Sequence, residues 1–184
     1  PIDIVKNGGA LPPEVYEGSL VVAASSLPGV LNIDLLKPGT LVVDYSFPPV
    51  FRVDSAIQRF TERHDILFTT GGELRMPELV KETIYLPEDM GDFGDGVEQR
   101  FLQFLASRDS HEITGCILVS LLTHLAEEVE PTLGLLENED ALAHYEYLEE
   151  FGVTPAKLQM PGFFLPDSGV ESFRKQERGS STTR

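Results

Sequence analysis

The segment SHEITGCILVSLLTHL carries the chain's one cysteine, Cys116. A thiol becomes a nucleophile when a cation, a histidine or a helix N-terminus holds it partly as thiolate and a substrate can reach it. The other residues grouped as chemistry requires stand where three apolar runs end. SLVVAASSLPG ends in Ala24, Ser25, Ser26 and Leu27, GTLVVDYSFPP in Asp44 and Tyr45, and DILFTTGGELRMP in Gly71 and Gly72. Small residues there let a ribose and a ring approach the backbone, and a carboxylate at a strand end can orient a ligand. The same residues serve equally as ordinary loop residues, with Asp44 capping the turn after its strand and Tyr45 and Phe47 closing a core.

The runs are short, rich in β-branched residues and closed by Pro and Gly, which predicts three strands. VLNIDLLKPG, between the first two, has room for a helical turn or two; VDSAIQRFTERH, between the second and third, predicts a helix. Strand, connection, strand, helix, strand predicts a parallel sheet. Continuous apolar stretches at 20–24 and 41–43 suit strands buried on both faces. Ligands bind beyond the carboxyl ends of such strands, so ASSLPG, DYSFPP and TTGGE are expected on one rim.

After Pro77 the pattern changes, and helical spacing predicts helices over 97–106, 110–129 and 138–151. Asp109 and Glu112 have the spacing of a capping box, which puts Cys116 about two turns into its helix, past the reach of the helix dipole. Ile113, Cys116, Ile117, Ser120, Leu121, His124 and Leu125 share one side, and Leu118, Val119 and Leu122 cover much of the rest. A helix apolar nearly all round is expected to be buried, with Cys116 as a small hydrophobe. Gly115 either admits a ligand beside the thiol or serves tight packing. His64, His111, His124 and His144 form no pair at helical ligand spacing, so no metal site is expected. Glu127, Glu128 and Glu130 read as a solvated helix end.

With 14 basic and 30 acidic residues the formal charge is -16, which repels phosphate backbones and anionic membranes. Nucleic acid is therefore not an expected partner. One cysteine cannot form an internal disulfide, and no apolar run is long enough to span a bilayer, so a cytoplasmic protein with no membrane span is expected. No G-x-G-x-x-G follows a predicted strand, and GDFGDG carries two aspartates and follows none. Either the chain binds no dinucleotide or a first β-α-β unit precedes Pro1, which would make the chain a fragment.

SLVVAASSLPGVLNIDLLKPGTLVVDYSFPPVF followed by DILFTTGGEL resembles the second half of the Rossmann domain in shikimate-dehydrogenase-like and glutamyl-tRNA-reductase-like oxidoreductases. The nearer resemblance is to the long-chain acyl-(acyl carrier protein) reductases of cyanobacteria. It continues through TGCILVSLL and YLEEFGVTPAKL and covers residues 11–159. EPTLGLLENEDALAHY and ELRMPELV depart from that family's pattern, which bears on substrate identity more than on fold.

The resemblance implies an α/β fold, a parallel-sheet, Rossmann-like second half of a dinucleotide-binding domain at 1–95; the helical spacing adds a helical segment packing on it at 96–160, and the polar, aperiodic end predicts an extended, disordered tail at 161–184. It implies NADP or NAD as cofactor, held by Ala24, Ser25, Ser26, Leu27, Asp44, Tyr45, Gly71 and Gly72, with the phosphate-binding half outside the chain. Cys116 would be the catalytic nucleophile for a small-molecule or carrier-protein-bound acyl substrate, with an aldehyde as product. Two alternatives stay open: an amino- or hydroxy-acid dehydrogenase without covalent catalysis, and a non-catalytic, truncated module whose helices mediate homo-oligomer or partner contacts.

Overall fold

The computed structural model of the chain describes residues 11–81, 109–126, 129 and 137–181, the side chains of 177–181 excepted. It is a mixed α/β protein of two compact units, Pro1–Gly71 with Lys157–Arg184, and Gly72–Ala156. This replaces the expected division at 95 and 160. The last segment returns to the first unit, which no local pattern in the sequence announces.

The first unit contains β1 (Leu20–Ala23), β2 (Thr40–Asp44), α1 (Val53–Arg63) and β3 (Ile66–Thr70). The strands are parallel in the order β1-β2-β3, as the strand-helix-strand alternation predicts. Between β1 and β2 there is only a 3-10 turn, Ile33–Leu35, capped by the Asn32 side chain, which accepts the Asp34 N–H at 3.1 Å. Val42, Ile66 and Phe68 are buried, and Phe60 of α1 meets Phe68 edge-on with ring centroids 6.1 Å apart. Ala56, Arg59 and Phe60 form the buried stripe of α1, the i, i+3, i+4 spacing of an amphipathic helix.

Arg59 is buried and fully engaged. Its guanidinium donates to both Asp65 oxygens at 3.0 and 2.9 Å, to the Ile33 carbonyl at 2.5 Å and to the Leu36 carbonyl at 2.8 Å. The planar fork suits a bidentate carboxylate and adjacent carbonyls at once. One side chain thus ties the β1–β2 connection to the turn that leads into β3.

The expectation of an extended, disordered tail is overturned within the described residues. β7 (Gln159–Met160) and β8 (Phe163–Phe164) pair antiparallel, and α4 (Asp167–Ser181) follows. Met160 and Leu165 belong to the main core, and Val170 and Phe173 pack against it. Phe163 stacks with Phe68 at 6.3 Å, and the Gln176 side chain donates to the Arg63 carbonyl at 3.2 Å. The polar sequence after Arg174 masks a short apolar face in the first two turns of this helix, and that face suffices to dock it.

The second unit contains β4 (Glu73–Arg75), β5 (Glu112–Thr114), α2 (Gly115–Leu125), α3 (Asn138–Glu150) and β6 (Thr154–Pro155). Its strands are antiparallel in the order β5-β4-β6. Ile113, Leu118, Leu122 and Val153 form its core with Leu74, Met76, Val80 and Leu148. α3 matches the predicted helix closely. The helix predicted over 97–106, the GDFGDG segment and Glu127, Glu128 and Glu130 lie outside the described residues.

The helix predicted over 110–129 starts later than expected. Asp109 accepts the His111 N–H at 2.9 Å and is paired with Arg75, so it caps no helix, and Glu112 instead pairs in register with Arg75 as part of a strand. These bonds hold the Asp109 carboxyl below its ordinary value of 3.8, the His111 backbone bond contributing most and Arg75 next.

Candidate functional site

The parallel register brings the three strand ends to one level, with Ala23 opposite Asp44 and Asp44 opposite Thr70. The ladder runs one residue further: Tyr45 N–H donates to the Ala23 carbonyl and Gly71 N–H to the Asp44 carbonyl, both at 2.8 Å. Ala24, Ser25, Ser26, Leu27, Asp44, Tyr45 and Gly71 therefore gather on a single rim, as expected.

Asp44 takes the structural one of its two expected roles. It is buried, and its oxygens accept the Ser46 N–H at 2.8 Å and the Val50 N–H at 2.9 Å. A carboxylate so placed pins the DYSFPPV turn instead of facing a ligand. The order then passes outward. Ser46 Oγ accepts the Ser25 N–H at 2.8 Å, and Ser25 Oγ accepts the Leu27 N–H at 3.0 Å. Leu31 N–H to the Val50 carbonyl at 2.8 Å closes the two rim loops on each other. Ser46 lies in the segment expected on the rim but without an expected role, and Val50, just beyond it, is the residue that the sequence reading missed. The Asp-x-Ser spacing of an Asx turn could have flagged Ser46, but nothing local marks Val50.

What the rim leaves outward is uncharged and largely apolar. Tyr45, Phe47 and Leu27 are exposed, with Phe47 at 91%. The Tyr45 ring lies on Gly71 so closely that a Cβ there would sit 2.5 Å from two ring carbons. Gly71 is thus a glycine because an aromatic ring occupies the place of its side chain. Neither 23–29 nor 44–50 contains Lys or Arg. Such a surface fits an uncharged ring and a ribose better than a phosphate, which needs amides at a helix N-terminus or cations.

Gly72 falls in the second unit, at φ 77°, where its carbonyl accepts the Gly115 N–H at 2.7 Å. Cys116 belongs to the same unit, and its expected burial is overturned: the thiol is exposed. It is also the second residue of α2, after the N-cap Thr114, not two turns in. There the backbone N–H groups have no intrahelical partners, and the residue lies in the first turn, where the helix dipole is felt. A Cβ on Gly115 would make only ordinary contact, 3.4 Å from the Gly72 carbonyl oxygen, so packing does not demand a glycine there. His111 is engaged with the Met76 carbonyl through Nδ1 at 3.2 Å.

α2 is not enclosed as its composition suggests. Leu118 and Leu122 are buried, while Ile117, Val119, Leu121 and Leu125 are exposed. Among the described residues no three His, Cys, Asp or Glu side chains are placed to hold a metal ion, and no helix is long and apolar enough to cross a membrane.

Comparison of the chain with family models, curated proteins and solved structures finds no match.

Proposed function

We propose that the chain is the nicotinamide-side half of a Rossmann-like, NAD(P)H-dependent oxidoreductase, similar to the acyl-(acyl carrier protein) reductases and shikimate-dehydrogenase-like enzymes. The observation that carries this is the common level of the three parallel strand ends, topped by Ala24, Ser25, Ser26, Leu27, Tyr45 and Gly71. Open parallel sheets bind ligands at that place. The cofactor would supply a hydride. Ala24 and Ser26 offer backbone that a ring can approach, the Tyr45 ring covers Gly71, and Asp44 acts behind them as the residue that holds the turn in shape.

In the sharper form the substrate is an acyl thioester. Cys116 would attack the thioester carbon and pass its proton to the departing carrier thiol, and the cofactor, when bound, would supply the hydride that frees the acyl group from the Cys116 sulfur as an aldehyde. Exposure of Cys116 in the first turn of α2 supports this form. A non-catalytic interaction module is the second reading, and the exposed apolar residues Ile117, Leu121 and Leu125 favour it.

The test combines amide shift mapping with NADH or NADPH at millimolar concentration and mass spectrometry after incubation with an acyl thioester. Shifts confined to Ala24, Ser26, Tyr45 and Gly71, with an acyl adduct on Cys116, are expected. No rim shift with either cofactor overturns the oxidoreductase reading. Rim shifts and thioester reduction that survive Cys116→Ala overturn only the covalent step.

A further inference from the structure

Beside the carboxyl end of β3 lies a stretch distant in the chain, the returning segment that forms β7. The two are joined there through side chains. Thr69 Oγ accepts the Gln159 N–H at 3.1 Å and donates to the Thr70 carbonyl at 3.1 Å, and the Thr70 hydroxyl donates to the Met160 sulfur at 3.6 Å. One hydroxyl thus links the tail to the last carbonyl of the strand. At the other end of the same peptide unit the Gly71 N–H donates to the Asp44 carbonyl at 2.8 Å. The Thr70–Gly71 peptide is held by β2 at its N–H and, through Thr69, by the tail at its carbonyl.

A hydroxyl that accepts from a fixed N–H has few directions left for its own proton. With Gln159 in place that proton is aimed at the Thr70 carbonyl; without it the hydroxyl can turn to water. Gly71 has no Cβ to restrict its backbone, so hydrogen bonds and not sterics set this peptide plane. The Tyr45 ring lies on Gly71, and the plane therefore sets the seat of an exposed aromatic ring of the rim. The tail is anchored well away from this point: Met160 and Leu165 belong to the main core, Phe163 stacks on Phe68, and Gly169 abuts the Phe60 ring.

We propose that Thr69 is a positioning residue through which the docked segment 157–173 sets the Thr70–Gly71 peptide, and with it the rim that receives the nicotinamide. The coupling is reciprocal. A ligand that needs the rim in this shape tightens the tail by the same factor by which the docked tail tightens the ligand. The ligand side of the proposal rests on the nicotinamide reading, whereas the effect of the tail on the rim does not. One hydrogen bond sets the size of the effect at about two- to tenfold.

The test uses the full chain with Thr69→Val, which keeps the branched shape and loses the hydroxyl, and Thr69→Ser, which restores it. Amide exchange at Gly71 and Gln159 should quicken by about two- to tenfold in Thr69→Val and return toward the wild-type rate in Thr69→Ser. Exchange at Leu41, bonded to the Ser19 carbonyl at the start of β2, should not change. If Thr69→Val fails to fold, Phe163→Leu, which loosens the tail at Phe68 and leaves Thr69 intact, should quicken exchange at Gly71 in its place. NADH or NADPH should bind Thr69→Val about two- to tenfold more weakly than wild type or Thr69→Ser. In the wild type the cofactor should slow exchange at Leu165, whose N–H donates to the Leu158 carbonyl, by the same factor, a response that a merely structural Thr69 does not give. Unchanged exchange at Gly71 in Thr69→Val and Phe163→Leu overturns the proposal whether or not a cofactor binds. So does a cofactor that shifts the rim yet binds Thr69→Val as tightly as wild type and leaves Leu165 unprotected. Absence of rim shifts in the wild type overturns the nicotinamide reading alone, and the exchange rates then decide whether the tail sets the rim.

Discussion

Asp44→Asn separates the two roles open to the rim carboxylate. The carboxylate accepts two backbone N–H groups, from Ser46 and Val50, in a buried setting. An asparagine has the same shape but one acceptor oxygen, so one N–H loses its partner and faces an NH₂ group instead. A hydrogen bond to a charged acceptor contributes about 1.5–3 kcal/mol, and the variant should lose about 2–3 kcal/mol. With a urea slope of about 1–3 kcal/mol per molar, the unfolding midpoint should fall by about 0.7–3 M. The chain has no tryptophan, so far-UV circular dichroism is the readout, with amide exchange at Ser46 and Val50 locating the damage. Asp44→Ala frees both N–H groups and should cost about 3–6 kcal/mol, a large part of the 5–15 kcal/mol that holds a typical domain together. An Asp44→Asn protein with the wild-type midpoint and unchanged exchange at Ser46 and Val50, yet with no cofactor shifts at the rim, would refute the reasoning and make Asp44 a ligand group.

Gly169→Ala places a Cβ 2.3 Å from the Phe60 ring, so α4 must shift off the core or the ring must move; a loss of about 1–3 kcal/mol in thermal or urea unfolding is expected. No loss would mean that the tail is undocked in solution. Gly71→Ala should destabilise by a similar amount, about 1–3 kcal/mol, and Tyr45→Ala in the same chain should recover most of it, because the three atoms nearest the new Cβ all belong to that ring. A carbon-detected titration of Asp109 should give a midpoint below 3.8 that moves up in Arg75→Ala. Because the folded value is the depressed one, its contribution to stability is present above the unfolded value and disappears as pH falls through the folded value.

Much of the first unit was legible in the chain. The apolar runs SLVVA, TLVVD and DILFTT, each closed by Pro or Gly, mark β1, β2 and β3, and the helical spacing at Ala56, Arg59 and Phe60 marks α1. The second unit was less so. Asp109 and Glu112 have the spacing of a cap in sequence, but Arg75, 34 residues away, takes the Asp109 carboxylate and the partner strand takes Glu112. A long-range ion pair and a strand pairing outweigh a local capping bond, and neither can be read from a window of a few residues.

By itself the sequence determined the order of β1, β2, α1 and β3, the parallel sense of their sheet and most of the residues at its rim, because these follow from local periodicity and from the short connections between strands. Only the tertiary structure decided which way those residues work. Asp44 turns inward because two backbone N–H groups lie within reach of its oxygens. The Tyr45 ring fills the space above Gly71. The tail becomes a helix because the core offers Phe60 and its neighbours as a surface to cover. Cys116 moves from the buried middle of a helix to its exposed first turn because the residues before it pair with β4. Burial and hydrogen-bond partners are properties of segments distant in the chain, and for that reason the thiol's position was settled by strand pairing and not by the apolar residues around it.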